Sequence, residues 1–213
     1  MRIRQAKMFV LSASASGALI GLLTLSTAVP CQAGKAGALG SEALKNTSIL
    51  IIRHAEKPAS GRELTPTGQQ RAEAYAQYFK NLTLDSQPSR PDCLIAAADS
   101  NNSQRPRLTL EPLSKALGMP LNLAFNVKQS QELVQELQSK PHGKVILICW
   151  RHGRIPTLVK QLGADPDKLI PGGKWPDDEY GWLLQLSYDQ EGRLIPAKTK
   201  RLQLDLPLQP GPQ

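Results

Sequence analysis

The chain has 213 residues, enough for one domain with a sizeable core, and its hydrophobic content of 40% excludes a disordered composition. Its 26 Lys and Arg against 18 Asp and Glu give a formal charge of +8, which suits an anionic ligand. There is no dense Lys/Arg run with interleaved aromatics, so composition gives no support to nucleic-acid binding.

Residues 1–7 are basic, and residues 8–29 carry no charge. Cys31, Gln32 and Ala33 then offer a small-residue cleavage site before Gly34. This is the pattern of a secretory signal, which predicts a periplasmic or secreted protein. Left uncleaved, the apolar stretch would instead anchor the chain in a membrane. Loss of residues 1–33 removes Arg2, Arg4 and Lys7 and no acid, which lowers the charge from +8 to +5. Residues 34–46, rich in Gly, Ala and Lys without a period, read as a flexible lead-in to a single domain over residues 47–213. Of the three cysteines, Cys93 and Cys149 would remain; each lies at the end of a predicted strand, as a small apolar residue would, and the spacing fits no zinc pattern.

The first strand covers residues 48–53, an unbroken apolar run of the kind buried on both faces of a sheet. It ends in Arg53, His54 and Glu56, and Pro58 starts a loop. That loop, residues 57–64, is long enough to lean over the strand end. Thr65 is placed to cap a helix with Pro66 in its first turn. Ala72, Tyr75, Phe79 and Leu82 recur at helical spacing and face the sheet, whereas Arg71 falls on another face and reads as a solvated charge.

A polar, proline-containing loop leads to a second buried strand over residues 93–98. Residues 99–104 form a polar loop ending at Arg105, and a helix is predicted over residues 108–117, closed by Gly118. Pro112 fits that helix only within its first turn. A short strand over residues 121–125 precedes a helix capped by Ser130, with Leu133, Val134 and Leu137 inward. His142 reads as a turn residue. A third apolar strand, residues 145–150, runs into Arg151 and His152. Ile155, Leu158, Val159 and Leu162 mark another amphipathic helix, and residues 164–181 form a Pro/Gly/Asp-rich loop. Residues 182–188 and 193–206 pair as a hairpin turning at residues 189–192. The alternation of strands and helices predicts a three-layer α/β/α sandwich with a mostly parallel sheet.

Ligands in open α/β sheets bind beyond the carboxyl ends of the strands. One strand ending in Arg-His could be a solvated corner. Two such strands place two imidazoles at one sheet edge.

Arg53-His54-Ala55-Glu56 resembles the Arg-His-Gly/Ala-Glu signature of the histidine phosphatase superfamily, also called phosphoglycerate mutase-like, of its branch 1 type. Leu64-Thr65-Pro66-Thr67-Gly68 is similar to the Leu-Thr-x-x-Gly that follows in that family. Arg105 and Thr109 resemble its Arg-x-x-x-Thr block, and His152-Gly153 its second histidine block. The four blocks stand in family order and cover residues 47–190. The resemblance implies a phosphoglycerate mutase-like fold and an enzyme that hydrolyses a phosphomonoester. His54 would be the nucleophile, forming a phosphohistidine that water then hydrolyses, and His152 would stabilise the transferring group. Arg53 and Arg105 would grip the phosphate oxygens, since guanidinium forks match an oxyanion with two donors each. No metal or cofactor is implied, and the partner is a phosphorylated small molecule. Where the family often places a general acid, residues 121–128 hold no carboxylate, so Asp178 and Glu179 become the candidates. Lys57 and Arg151 are candidate substrate-binding residues. Trp150 and Arg151 depart from the small or apolar residues usual before the second histidine, and Trp150 and Trp175 either fill the core or stack on a sugar or base. The departures leave as an alternative a phosphate-binding protein of the same fold without catalysis; a phosphomutase is a further alternative, which the predicted export disfavours.

Overall fold

A computed structural model describes residues 40–208. The predicted signal segment lies outside them. Strand β1 (Ser48–Arg53) is followed by helix α1 (Pro66–Lys80), a small hairpin of β2 (Thr83–Leu84) and β3 (Gln87–Pro88), and strand β4 (Cys93–Ala96). Helix α2 (Arg105–Leu117), strand β5 (Leu121–Asn122), helix α3 (Ser130–Ser139) and strand β6 (Val145–Trp150) come next. The chain closes with helices α4 (Ile155–Gln161) and α5 (Pro166–Leu169) and strands β7 (Trp182–Ser187) and β8 (Lys200–Gln203).

Six strands form one sheet in the order β5-β4-β6-β1-β7-β8. β5, β4, β6 and β1 are parallel, whereas β7 runs antiparallel to both its neighbours, β1 and β8. β1 lies in the interior, between β6 and β7, so both its faces need cover. Its alternate residues divide accordingly. Leu50 and Ile52 pack with Tyr75 and Phe79 of α1 and Leu110 and Leu113 of α2. Ile49 and Ile51 pack on the other face with Leu133 and Leu137 of α3 and Leu158 of α4. Three layers follow, and a continuous apolar strand is what their middle requires; each such side chain contributes about 1.5–3 kcal/mol of burial. Trp150 and Trp175 are both fully buried in the second of these cores, which settles them as core residues. Cys93 and Cys149 are free thiols, the latter buried.

Several boundaries differ from the sequence expectation. Residues 40–46 do not behave as a free lead-in. A 3-10 turn, Glu42–Leu44, seats Leu44 in the core, and the Ser41 N–H donates to the Gly192 carbonyl (3.1 Å). Helix α2 begins three residues earlier than expected, at Arg105, so Pro112 sits in its interior rather than its first turn. Packing of Pro106, Thr109, Leu110 and Leu113 against the sheet outweighs the one backbone bond a proline removes. Ser130 is the first residue of α3, not its cap. The strands after α1 and α2 are shorter than the apolar runs that suggested them, ending at Ala96 and Asn122. Among the described residues no helix is long and apolar enough to cross a membrane.

Candidate active site

The parallel register of β1 and β6 pairs Arg53 with Trp150, so the two strands end side by side. The His54 N–H donates to the Trp150 carbonyl (3.1 Å), extending the ladder by one residue. His54 and His152 thereby meet at one edge, with ring centroids 5.9 Å apart and planes at 71°.

His54 is 3% exposed. Its Nδ1 lies 2.8 Å from the Ala55 carbonyl, which can only accept. Nδ1 therefore carries the proton and Nε2 keeps a free lone pair. Burial, and then the charges of Arg53, Arg105 and His152, push the imidazole down from near 6.5 to about 3, against the opposing bond to Ala55. The ring is neutral at ordinary pH. A neutral imidazole with one free nitrogen is a competent nucleophile.

Arg53 is fully buried, and no carboxylate lies within ion-pair distance of it among the described residues. Its Nη1 donates to three carbonyls, those of Pro176 (3.0 Å), Asp177 (2.9 Å) and Glu179 (3.0 Å). The ring of Tyr180 covers its face at 3.9 Å. Nε and Nη2, which share the opposite edge of the planar group, are buried without a partner. A buried guanidinium with one edge saturated and a two-donor edge open is costly unless an anion completes it.

The residues that flank this edge explain the other sequence blocks. Thr109 is buried on α2; its hydroxyl accepts from the Ala55 N–H (2.9 Å) and donates to the Arg105 carbonyl (2.8 Å), fixing the second arginine relative to His54. Arg105 Nη1 donates to the Gly61 carbonyl (2.9 Å) and Nη2 to that of Asn102 (3.3 Å), and its Nε is buried and unpartnered. Residues 57–64 are thus tied to the start of α2. At α1, Thr65 accepts from the Gly68 N–H (3.0 Å) as cap. A Cβ on Gly68 would stand 2.6 Å from the Glu56 carbonyl oxygen, so glycine lets the helix abut the loop that follows His54.

Arg71 is not a solvated helix charge. Its Nε and Nη2 both reach Glu56 Oε1 at 2.7 Å in a pair almost withdrawn from solvent, and its guanidinium lies 5.8 Å from the Tyr180 ring. The polar spacing of α1 showed its direction; the partner came from a distant loop.

The two candidate acids fall elsewhere than expected. Asp178 is exposed, with no bonded partner among the described residues. The Glu179 carboxylate accepts from the Gly181 N–H (2.6 Å), and its carbonyl holds Arg53 and the Trp175 indole N–H (2.8 Å). Glu179 is committed to shaping the loop. The carboxylate at the site is Asp177, whose Oδ1 lies 2.8 Å from His152 Nε2. Its side chain is 72% exposed outward, yet it holds one imidazole nitrogen while His152 Nδ1 is buried and unpartnered. Burial and Arg53 lower His152, and Asp177 opposes them. The bond to His152 in turn holds the Asp177 carboxyl below its usual range, so it is ionised and not a proton donor. Two adjacent aspartates in a loop cannot be told apart by sequence.

Arg151 lines a cavity of about 310 Å³ beside His54 and Arg105, together with Lys128 and Ser103. Lys57 is not part of it; exposed, it adds its charge near His152 and Asp177. Among the described residues no group of three or more His, Cys, Asp or Glu is placed to hold a metal ion.

No protein-family model matches the sequence, and no curated protein matches it. Solved structures do. A candidate alpha-ribazole-5′-P phosphatase from Escherichia coli K-12 superposes with a TM-score of 0.52 at 13% identity, over 74% of this chain and 96% of its own. A phosphoglycerate mutase from Plasmodium falciparum gives 0.49 at 16% identity, over 78% and 96%. The protein histidine phosphatase SixA, solved with tungstate, gives 0.44 at 18% identity, over 74% and 97%. The chain has the phosphoglycerate mutase-like fold, the fold of the histidine phosphatase superfamily.

Proposed function

We propose that this protein is a phosphatase that hydrolyses a phosphomonoester through a phosphohistidine on His54. One observation carries the reading. The open edge of Arg53, with Nε and Nη2 buried and unpartnered, stands one residue from an imidazole whose free nitrogen is Nε2. That edge matches two phosphate oxygens, and phosphoryl transfer is mostly positioning and charge stabilisation.

In the first step His54 Nε2 attacks phosphorus, the N–P bond forms, and the bond to the leaving oxygen breaks. In the second, water attacks phosphorus, the N–P bond breaks, and the water proton leaves to solvent or to the phosphate as His54 returns neutral. Arg53 and Arg105 hold the equatorial oxygens. With an anion bound, Asp177 favours protonated His152, whose Nδ1–H then donates to a phosphoryl oxygen. No Asp or Glu lines the cavity beside His54, so the leaving oxygen takes its proton from solvent. That feature favours esters with good leaving groups. It is also the one observation that favours the second reading, a phosphate-binding protein without turnover.

The test is hydrolysis of an aryl phosphate by wild type and His54→Ala. A loss of more than about 10³-fold is expected. Undiminished turnover in the variant would sink the nucleophile assignment, and phosphate binding without turnover in wild type would favour the second reading.

A further inference from the structure

We infer that Tyr180 is a positioning residue for the phosphoryl site: its ring, seated by helix α1, fixes the plane of the Arg53 guanidinium and so aims the open Nε/Nη2 edge. The inference rests on the phosphatase reading above and goes beyond it to the part of the chain that holds the phosphate clamp in place.

No acid holds Arg53. Of the carboxylates near it, Asp177 is bonded to His152 (2.8 Å) and Glu56 to Arg71 (2.7 Å). The carbonyls of Pro176, Asp177 and Glu179 fasten Nη1 alone, one corner of a planar group. The Tyr180 ring lies against the face, with its centroid 3.9 Å from Cζ, and constrains the plane itself. An aromatic face attracts the cation without accepting from the N–H groups of the open edge. A carboxylate in its place would take the two-donor edge that an oxyanion needs. The ring therefore steadies the guanidinium and leaves its edge available.

Helix α1 sets the ring. Gly68, Arg71 and Tyr75, three and four residues apart, form one stripe of the helix. Gly68 abuts the backbone of Glu56, and Arg71 reaches the Glu56 carboxylate and lies 5.8 Å from the Tyr180 ring. The Tyr75 hydroxyl donates to the Tyr180 carbonyl (2.6 Å). One stripe thus registers the loop after His54 against the residue that covers Arg53. The flanking residues are tied as well. The buried Trp175 donates to the Glu179 carbonyl (2.8 Å), and the Glu179 carboxylate accepts from the Gly181 N–H (2.6 Å). The Tyr180 hydroxyl has no hydrogen-bond partner among the described residues, which leaves the ring as the working part.

The test compares wild type, Tyr180→Leu and Tyr180→Phe by kcat and KM for para-nitrophenyl phosphate and by calorimetric affinity for inorganic phosphate. Tyr180→Leu keeps an apolar side chain and loses the aromatic face. It should lower kcat about tenfold or more and weaken phosphate about tenfold, since a displacement of about 1 Å costs up to about 10²-fold. Tyr180→Phe keeps the face and should stay within about threefold of wild type in both. A folded Tyr180→Leu with unchanged kcat and phosphate affinity would overturn the inference, and so would a Tyr180→Phe as impaired as Tyr180→Leu. Should Tyr180→Leu not fold, magnetic resonance of wild type with isotope-labelled arginine decides. The Arg53 signal, assigned by its loss in Arg53→Lys, should show resolved, slowly exchanging Nη groups before phosphate is added; averaged Nη signals, the sign of a freely rotating guanidinium, would overturn the inference. Wild type that binds phosphate without turnover would overturn the phosphatase reading alone, and the affinities would still decide this inference. Wild type that neither binds phosphate nor turns over the ester would overturn both.

Discussion

Asp177 is the residue on which sequence and structure part most usefully. Its carboxylate is exposed, yet one oxygen lies 2.8 Å from His152 Nε2 and the other imidazole nitrogen is buried and free. A carboxylate in that place raises the imidazole and sets which nitrogen can face a phosphate. Asp177→Asn removes the charge and keeps the shape. It should lower kcat about tenfold or more and move the alkaline limb of the pH–rate profile to lower pH, because protonated His152 loses its partner. A profile that keeps its limbs while kcat falls would make Asp177 a structural residue only. Asp178, one position on, touches none of this chemistry. Arg53, His54 and His152 were legible because strand-end charges after apolar runs have few structural uses, whereas Arg105, which opens α2 after a polar loop, stood out only through the family resemblance. Asp177 was not legible, because loop geometry decides which of two neighbouring aspartates turns inward.

At the scale of elements, the site is a junction of four pieces: the end of β1, the start of α2, the end of β6, and residues 174–181. Arg53 joins the first to the last through three carbonyls, and Thr109 joins the first to the second. Tyr75 adds a further tie from α1, its hydroxyl donating to the Tyr180 carbonyl (2.6 Å). The order of the main elements could be read from periodicity, since β1, β4 and β6 are short apolar runs and α1, α3 and α4 repeat an apolar face, whereas the β2–β3 hairpin and α5 lie in stretches that read as loops. The start of α2 could not, because Arg105 and Pro106 look like loop residues until the sheet covers Thr109 and Leu110. Helix α1 has its own constraint. A methyl at Gly68 would meet the backbone of Glu56, with its carbonyl oxygen at 2.6 Å and nitrogen at 3.0 Å. Gly68→Ala should cost about 1–3 kcal/mol, read as a lower Tm, and should lower kcat by displacing the loop after His54. An unchanged Tm and kcat would show that the helix shifts freely, contrary to the tight seat described.

For the whole molecule, the buried cationic site ties stability to pH and to anions. His54 falls from near 6.5 to about 3 in the folded state, and His152 is lowered as well. Both imidazoles are therefore harder to protonate folded than unfolded. Their contribution is complete above pH 6.5 and is lost as pH falls toward 3, by up to about 1.4 kcal/mol per unit for one group. Thermal melts without ligand should show Tm dropping through this window. His54→Gln, uncharged at every pH, should flatten the drop; an identical pH dependence in that variant would refute the buried neutral imidazole. Phosphate should raise Tm in wild type, since it binds the folded state alone, by an amount that grows with concentration.

The claim beneath all of this is a covalent bond between phosphorus and one imidazole nitrogen, and it can be seen directly. Wild-type protein mixed with a ³²P-labelled phosphomonoester, quenched in base and digested, should yield one labelled peptide carrying His54, with label that survives alkali and is released by acid. Sustained turnover with no such peptide, or label on a residue other than His54, would contradict it.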